Sequence, residues 1–148
     1  MKKQDYFKME MESNSVNEAF ARAAVAAFVA RLDPSLEELN DIKTAVSEAV
    51  TNCIVHAYRD CIGKIHISTK ILDDNFVSIV IKDYGCGIEN IEEALKPMFT
   101  TGGTERSGMG FTVMESFMDK LTVRSKPGRG TSIIMVKKIL PRYAVEKH

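Results

Sequence analysis

The sequence has no tryptophan, four prolines and three cysteines. The few cysteines exclude some classes of protein. Cys53, Cys61 and Cys86 are an odd number without a CxxC pair, which argues against a disulfide framework and against a zinc site. No apolar run approaches the roughly 18 residues that a membrane-spanning helix needs, and the N-terminus carries no signal-like segment. We therefore expect a cytoplasmic protein with no membrane partner.

The chain also lacks an excess of charge, because 20 basic and 20 acidic residues give a formal net charge of +0. A general electrostatic footprint for nucleic acid is missing, so we expect no direct nucleic-acid partner. What the chain does have is length and apolar content, with 148 residues of which 45% are hydrophobic. These values predict one domain over residues 1–148 with a core that needs no covalent staples.

Hydrophobic periodicity predicts helices grouped beside strands. The predicted strands are 6–11, 64–72, 76–82, 121–125 and 131–139, and the predicted helices are 15–31, 34–58, 88–95 and 110–120. Ser15 with Glu18 forms a capping-box pattern, and Asp33 with Pro34 is typical of a second helix start. Residues 97–109 show little periodicity and predict a loop. The order indicates an α+β fold, a two-layer α/β sandwich with a mostly antiparallel mixed sheet covered on one face by helices.

The long predicted helix places Glu48 and Asn52 one turn apart, about 6 Å along its axis. A carboxylate in that position can accept a proton from an attacking hydroxyl or water, and a carboxamide oxygen can ligate Mg²⁺. Taken alone, the pair is more often an exposed Glu beside an exposed Asn. His56, one turn further on, is more often a packing residue than a catalyst. The pair gains weight only from motifs elsewhere in the chain.

Two glycine clusters lie at predicted junctions between elements. Asp83-x-Gly85-x-Gly87 follows a strand, and Ser107-Gly108-Met109-Gly110-Phe111 opens a helix. Glycines let a ligand approach the backbone closely, a helix start suits a phosphate, and an aspartate can accept a hydrogen bond from a base amine. The second cluster lacks the third glycine of a Rossmann fingerprint and the Gly-Lys-Ser/Thr ending of a P-loop. We therefore predict a nucleotide site of another kind.

In this order and spacing, the motifs resemble the ATP-binding domain of the GHKL superfamily, which includes gyrase B, Hsp90, histidine kinases and MutL. The resemblance runs from about residue 35 to 138 and implies a Bergerat-type fold with ATP and Mg²⁺ as cofactors. It implies that Glu48 is the general base, Asn52 the Mg²⁺ ligand and Asp83 the contact to the adenine amino group. The other implied nucleotide contacts are Gly85, Gly87, Thr100, Thr101, Arg106, Ser107, Gly108, Met109, Gly110, Phe111 and Thr131.

The segment from Pro97 to Ser107 is, by the same resemblance, the lid over ATP. Related kinases usually carry a lysine after the Phe-Thr-Thr of this lid, whereas Gly102-Gly103 stand there in this chain. Arg106 is the remaining basic residue of the lid, and its planar guanidinium could neutralise the γ-phosphate.

Within the superfamily, the stretches 46–52, 99–101 and 105–111 look like the anti-sigma F factor family of spore-forming bacteria. That resemblance implies a protein that holds a sporulation sigma factor in an ATP-favoured complex. It also implies a serine kinase that phosphorylates a small anti-anti-sigma protein, and a homodimer to which residues 1–33 contribute. Arg22 is the candidate contact for partners, with an exposed, solvated arginine as the alternative. Three alternative functions stay open: a non-catalytic ATP-dependent binding switch, a general-stress sigma regulator of the same kinase family, and an orphan histidine kinase module.

Overall fold

The computed structural model describes residues 2–95 and 105–140, without the side chains of 105–109. One five-stranded sheet has the order β1-β2-β3-β5-β4. Its strands are β1 (Lys3–Glu12), β2 (Lys64–Leu72), β3 (Phe76–Asp83), β4 (Lys120–Lys126) and β5 (Gly130–Lys138). The helices are α1 (Asn17–Val29), α2 (Leu36–Asn52), α3 (Ile91–Leu95) and α4 (Glu105–Phe117). The predicted α+β class is confirmed. The prediction that the sheet is mixed is wrong, because every strand pair in the described part of the chain is antiparallel.

The core lies between one face of the sheet and the helices α1, α2 and α4. Alternation along β2 and β3 buries every second side chain, as in Ile65, Ile67, Ile79 and Ile81, while their neighbours lie on the other face. Each of these four is at most 1% exposed. The helices supply a matching apolar stripe, and the buried residues of α2 belong to the same core cluster as those of β2, β3 and β5. None of the described helices is long and apolar enough to cross a membrane.

The start of α2 differs from its prediction. Ser35, rather than Asp33, is the N-cap, because its hydroxyl accepts the Glu38 N–H at 3.0 Å while the Glu38 carboxylate accepts the Ser35 N–H at 2.8 Å. This reciprocal pair satisfies two amides that would otherwise lack partners. Asp33 instead adopts a left-handed conformation with φ of 53° and ends the preceding turn.

The predicted capping box at the start of α1 is wrong. The N-cap is Val16, with no side-chain cap, and Ser15 contributes only its backbone carbonyl. Glu18 points elsewhere: it accepts a hydrogen bond from the Ser47 hydroxyl at 2.6 Å and lies 3.7 Å from the Arg22 guanidinium. Because the Glu18 carboxylate makes these tertiary contacts, it does not cap the start of α1.

These two helix starts provide a matched test of capping. Ser35→Ala should lower the free energy of unfolding by about 1 kcal/mol, because it removes a side-chain acceptor from α2. Ser15→Ala should change it by less than about 0.5 kcal/mol, because that hydroxyl caps no amide of α1. Urea unfolding of both variants measures the difference, and equal losses would contradict the capping assignment.

The end of α2 has an unusual conformation. Regular helix ends at Asn52, and Cys53–Ala57 continue as a single π-helical turn, closed by a Tyr58 N–H to Cys53 carbonyl bond of 3.1 Å. The predicted helix to residue 58 is therefore correct in extent but not in type. Such turns often occur at functional sites, and this one ends beside Asp83.

Helix α4 begins at Glu105, so the predicted loop to residue 109 and the predicted helix start at Gly110 are wrong. Arg106, Ser107, Gly108 and Met109 lie within the first turns of this helix rather than before it. The glycines misled the prediction because a glycine required by close helix packing looks the same in sequence as one required by a loop. The remaining lid residues up to 104, with Thr100 and Thr101, lie outside the described residues.

Candidate functional site

Asp83 is the last residue of β3 and is 3% exposed. Its Oδ1 accepts the N–H of Gly85 at 2.9 Å and the N–H of Thr131 at 3.2 Å. Burial raises the pKa of the Asp83 carboxyl, while the amide of Gly85, the thiol of Cys53 and the amide of Thr131 act in the opposite direction. A buried carboxylate with oxygen lone pairs left over is suited to a hydrogen-bond donor on a ligand.

The turn after Asp83 depends on a glycine. Gly87 has φ of +77°, and a Cβ built there would lie 2.1 Å from the Lys126 carbonyl oxygen. Both the left-handed backbone and the close approach to the β4–β5 turn exclude a side chain. Gly85 has a related restriction, because its Cβ would lie 2.4 Å from the Ala57 carbonyl oxygen.

Gly128 allows the two restrictions at Gly87 to be separated, because it has the same φ of +77° but no atom within 4 Å of an added Cβ. Gly128→Ala should lower the free energy of unfolding by about 1 kcal/mol from backbone strain alone. Gly87→Ala should lower the free energy of unfolding by about 1–3 kcal/mol more than Gly128→Ala does, because the methyl group also overlaps the Lys126 carbonyl. Chemical denaturation of the two variants measures this, and indistinguishable losses would refute the close approach.

Glu48 and Asn52 meet α4 at Gly110. A Cβ on the buried Gly110 would lie 3.3 Å from Asn52 Oδ1 and 3.4 Å from Glu48 Oε2. The missing side chain thus lets the two helices approach where both functional groups project. The Glu48 and Asn52 residues are each partly buried, so neither is a plain solvated surface residue.

The Asn52 carboxamide has an unmet hydrogen-bonding need. Its Nδ2 is buried and has no hydrogen-bond partner within the described residues. Because the oxygen and nitrogen of a carboxamide exchange by a flip, one end of this group is available to a ligand. Across 2–95 and 105–140, no cluster of three or more His, Cys, Asp or Glu side chains could hold a metal ion. A cation here would rely on Asn52 with water and ligand oxygens, an arrangement that suits Mg²⁺.

A cavity of about 190 Å³ connects Asn52 with Asp83. Its lining residues are Asn52, His56, Ala57, Arg59, Asp83, Cys86, Gly87, Ile88, Ala94, Phe111, Thr131 and Ile133. The structure therefore brings five predicted site residues around one space: Asn52, Asp83, Gly87, Phe111 and Thr131. The apolar members suit a flat ring, and the polar members offer hydrogen-bonding groups to a ligand.

Several supporting residues were missed from the sequence. Ser125 pairs with Thr131 across the sheet, and its hydroxyl accepts the Ile88 N–H at 2.8 Å and meets Thr131 Oγ1 at 2.8 Å. Its only sequence signal is the register of β4 against β5, which becomes visible after the strands are aligned. Cys53 is likewise recognisable only once the π-helical turn places its thiol at Asp83.

The other predicted residues are less well placed. The side chains of Arg106, Ser107 and Met109 are not among those described, so their contacts to nucleotide stay predictions. Arg22 projects from α1, partly buried, and its guanidinium lies 3.7 Å from Glu18.

The chain resembles known proteins along most of its length. The profile of the family described as histidine kinase-like ATPase domain matches residues 11–137. Three relatives carry the name anti-sigma F factor. The protein from Caldanaerobacter subterraneus subsp. tengcongensis is 55% identical over 94% of this chain and 97% of its own. Those from Pasteuria penetrans and Clostridium beijerinckii are 52% and 56% identical, over 93% and 88% of this chain and 93% and 92% of theirs.

Two solved structures share the fold. The RsbU and RsbW domains of a Mycobacterium tuberculosis protein superpose with a TM-score of 0.68 at 16% identity, over 92% of this chain and 32% of theirs. The mycobacterial sensor histidine kinase MprB superposes with a TM-score of 0.54 at 16% identity, over 93% of this chain and 99% of its own. At these identities the likeness concerns architecture alone.

Proposed function

We propose a function from one premise: the chain belongs to the anti-sigma F factor family and carries its histidine kinase-like ATPase domain. It is a cytoplasmic, ATP-dependent regulator that holds a sporulation sigma factor inactive. It is also a serine kinase that phosphorylates a small anti-anti-sigma protein. The observation that carries the proposal is the single cavity with the Asp83 carboxylate and the Asn52 carboxamide on its wall.

The adenine of ATP binds at Asp83. Because Oδ1 already accepts two backbone N–H groups, the remaining carboxylate lone pairs are available to the exocyclic amino group of the base. Gly87 lets the ring approach the backbone, and Ile133 and Phe111 present apolar surface to it. The hydroxyl of Thr131, held by Ser125, maintains the wall behind the carboxylate.

The phosphates extend from the adenine toward α2, where Asn52 would hold Mg²⁺. The ion, when bound, offsets negative charge on the phosphates and on the γ-phosphoryl group during transfer. After a flip that places its oxygen at the partnerless end, the Asn52 carboxamide fits this role. Gly110 lets α4 come close to Asn52, because a Cβ there would lie only 3.3 Å from Asn52 Oδ1.

Glu48 is the general base. It lies one helical turn before Asn52 on α2, with its carboxylate toward the same contact with α4. The carboxylate accepts the proton of the substrate serine, whose oxygen attacks the γ-phosphorus. A bond from serine oxygen to phosphorus forms, and the bond to the β,γ-bridging oxygen breaks, which releases ADP.

Partners approach from the α1 side. Glu18 connects α1 to Ser47, the residue that precedes Glu48 on α2, and the same carboxylate lies 3.7 Å from the Arg22 guanidinium. Val16 and Phe20 on the same segment are 73% and 57% exposed, which supports a contact with another chain. We assign to this segment both the homodimer and the contact with partner proteins.

The test is incubation with labelled ATP, Mg²⁺, a candidate anti-anti-sigma protein and a candidate sigma factor. We expect phosphoserine on the anti-anti-sigma protein, together with recovery of the sporulation sigma factor in an ATP-dependent pull-down. Acid-labile phosphohistidine would support a histidine kinase module. A complex whose stability changes with ATP and ADP, but without any phosphoamino acid, would support a binding switch. Recovery of a general-stress sigma factor would support a general-stress sigma regulator of the same kinase family.

A further inference from the structure

Tyr58 connects the π-helical turn to the backbone that follows Asp83. Its side chain is 7% exposed. The hydroxyl donates to the Lys64 carbonyl at 2.7 Å and accepts the Tyr84 N–H at 2.7 Å. One phenol group therefore joins the start of β2 to the first amide after the proposed adenine ligand.

The ring of Tyr58 is held in place by its surroundings. It covers Gly63 so closely that a Cβ there would lie 2.2 Å from the Tyr58 Cε1 atom. The backbone of the same turn adds a second connection, because the Cys86 N–H donates to the Ala57 carbonyl at 3.2 Å. A phenol is protonated at neutral pH, and burial raises the pKa of Tyr58 further.

The carboxylate of Asp83 is directed by bonds on both sides. Thr131 reaches it from β5 and Gly85 from the following turn, which begins at the Tyr84 amide that the Tyr58 hydroxyl holds. Without the phenol, the Tyr84 N–H would lose its partner and the turn would be free to shift. Because the proposed adenine contact is a single hydrogen bond, a small shift of the carboxylate alters base recognition more than it alters phosphate binding.

We propose that Tyr58 is a positioning residue that sets the selectivity of the site for a purine bearing a 6-amino group. The proposal rests on the proposed adenine contact of Asp83. Tyr58 does not touch the nucleotide in this account and acts through the Tyr84 amide.

The experiment compares binding of ATP and purine riboside 5′-triphosphate, which lacks only the 6-amino group, to the wild type and to Tyr58→Phe. We expect the variant to bind ATP about tenfold more weakly, the equivalent of one hydrogen bond, and to bind the purine analogue with less than about a twofold change. Tyr6→Phe is the matched control: it also deletes one phenol hydroxyl, from a 46% exposed side chain, and should leave both affinities unchanged.

An equal loss of affinity for both nucleotides would assign Tyr58 a purely structural role and overturn the proposal. Unchanged affinities for both nucleotides in the variant would overturn it as well. A wild type that binds both nucleotides equally would instead refute the adenine contact of Asp83, and with it the proposed site. If the variant does not fold, hydrogen exchange at the Tyr84 amide of the wild type tests the same proposal. ATP should protect the Tyr84 amide at least about threefold more than the purine analogue does, and equal protection would overturn the proposal.

Discussion

Glu48→Gln should greatly slow serine phosphorylation while ATP and sigma factor still bind. Glutamine has the shape of glutamate but cannot accept the serine proton, so transfer should slow by about 10²–10⁴-fold, the usual contribution of a general base. The helix should be unaffected, because the side chain is only partly buried and glutamine has nearly the volume of glutamate. Initial rates of labelled phosphate transfer, measured beside the ATP dissociation constant, separate chemistry from binding.

Glu37→Gln is the control, because it makes the same change at an exposed position in the first turn of α2. It should retain full transfer activity and lose at most a few tenths of a kcal/mol of stability from the helix dipole. Wild-type transfer rates in Glu48→Gln would remove Glu48 from the role of base. Loss of ATP binding in that variant would assign it to the nucleotide site instead.

Asp83→Asn should weaken ATP binding by about 100-fold without destabilising the fold, because the amide would present a donor to the adenine amino group where an acceptor is needed. The asparagine oxygen can still accept the N–H groups of Gly85 and Thr131. Loss of binding together with retained stability is the signature of a residue that serves a ligand rather than the core.

The pH dependence of stability follows from the same residue. Burial raises the pKa of Asp83 above its unfolded value of 3.8. Its contribution to stability is therefore full below the unfolded pKa and is lost as pH rises through the folded pKa. At neutral pH the ionised carboxylate costs stability relative to asparagine, so the variant should unfold at equal or higher denaturant concentration. The difference should shrink as the pH approaches 4.

Denaturant unfolding at pH 7 and pH 4, combined with ATP titration, tests both parts. Asp60→Asn, at an exposed position after the π-helical turn, should match the wild type in each measurement. An Asp83→Asn variant that binds ATP normally would refute the adenine contact. A variant less stable than the wild type at pH 7 would refute the stated cost of the buried charge.

Periodicity predicted the strands and the long helix well because both depend on local apolar patterns. Asp83, Gly87 and Asn52 were named from the motifs and the family resemblance rather than from periodicity, and the structure places the three around one cavity. The predicted helix boundaries were wrong where tertiary contacts determine the start of a helix. Glu18 was recruited by Ser47 instead of capping α1, and α4 continued through its glycines because it packs on α2.

The supporting residues of the site were beyond sequence reasoning for a different reason. Ser125 and Tyr58 act through hydrogen bonds to residues at least 5 positions away, up to 37 for Ser125 to Ile88. No local pattern records such a bond. It depends on strand register and on the angle at which a turn leaves its helix.

The π-helical turn at Cys53–Ala57 has a consequence for how this chain can change in length. Such a turn holds one residue more than an α-helical turn but closes through nearly the same angle, because the Tyr58 N–H already bonds the Cys53 carbonyl. Deleting one of the five residues would therefore restore regular helix and leave Tyr58 directed toward Gly63 and the Tyr84 amide. An inserted residue would instead rotate Tyr58 by about 100° and remove the phenol from both contacts. Homologues that keep this phenol should therefore tolerate a one-residue deletion between Asn52 and Tyr58 better than an insertion.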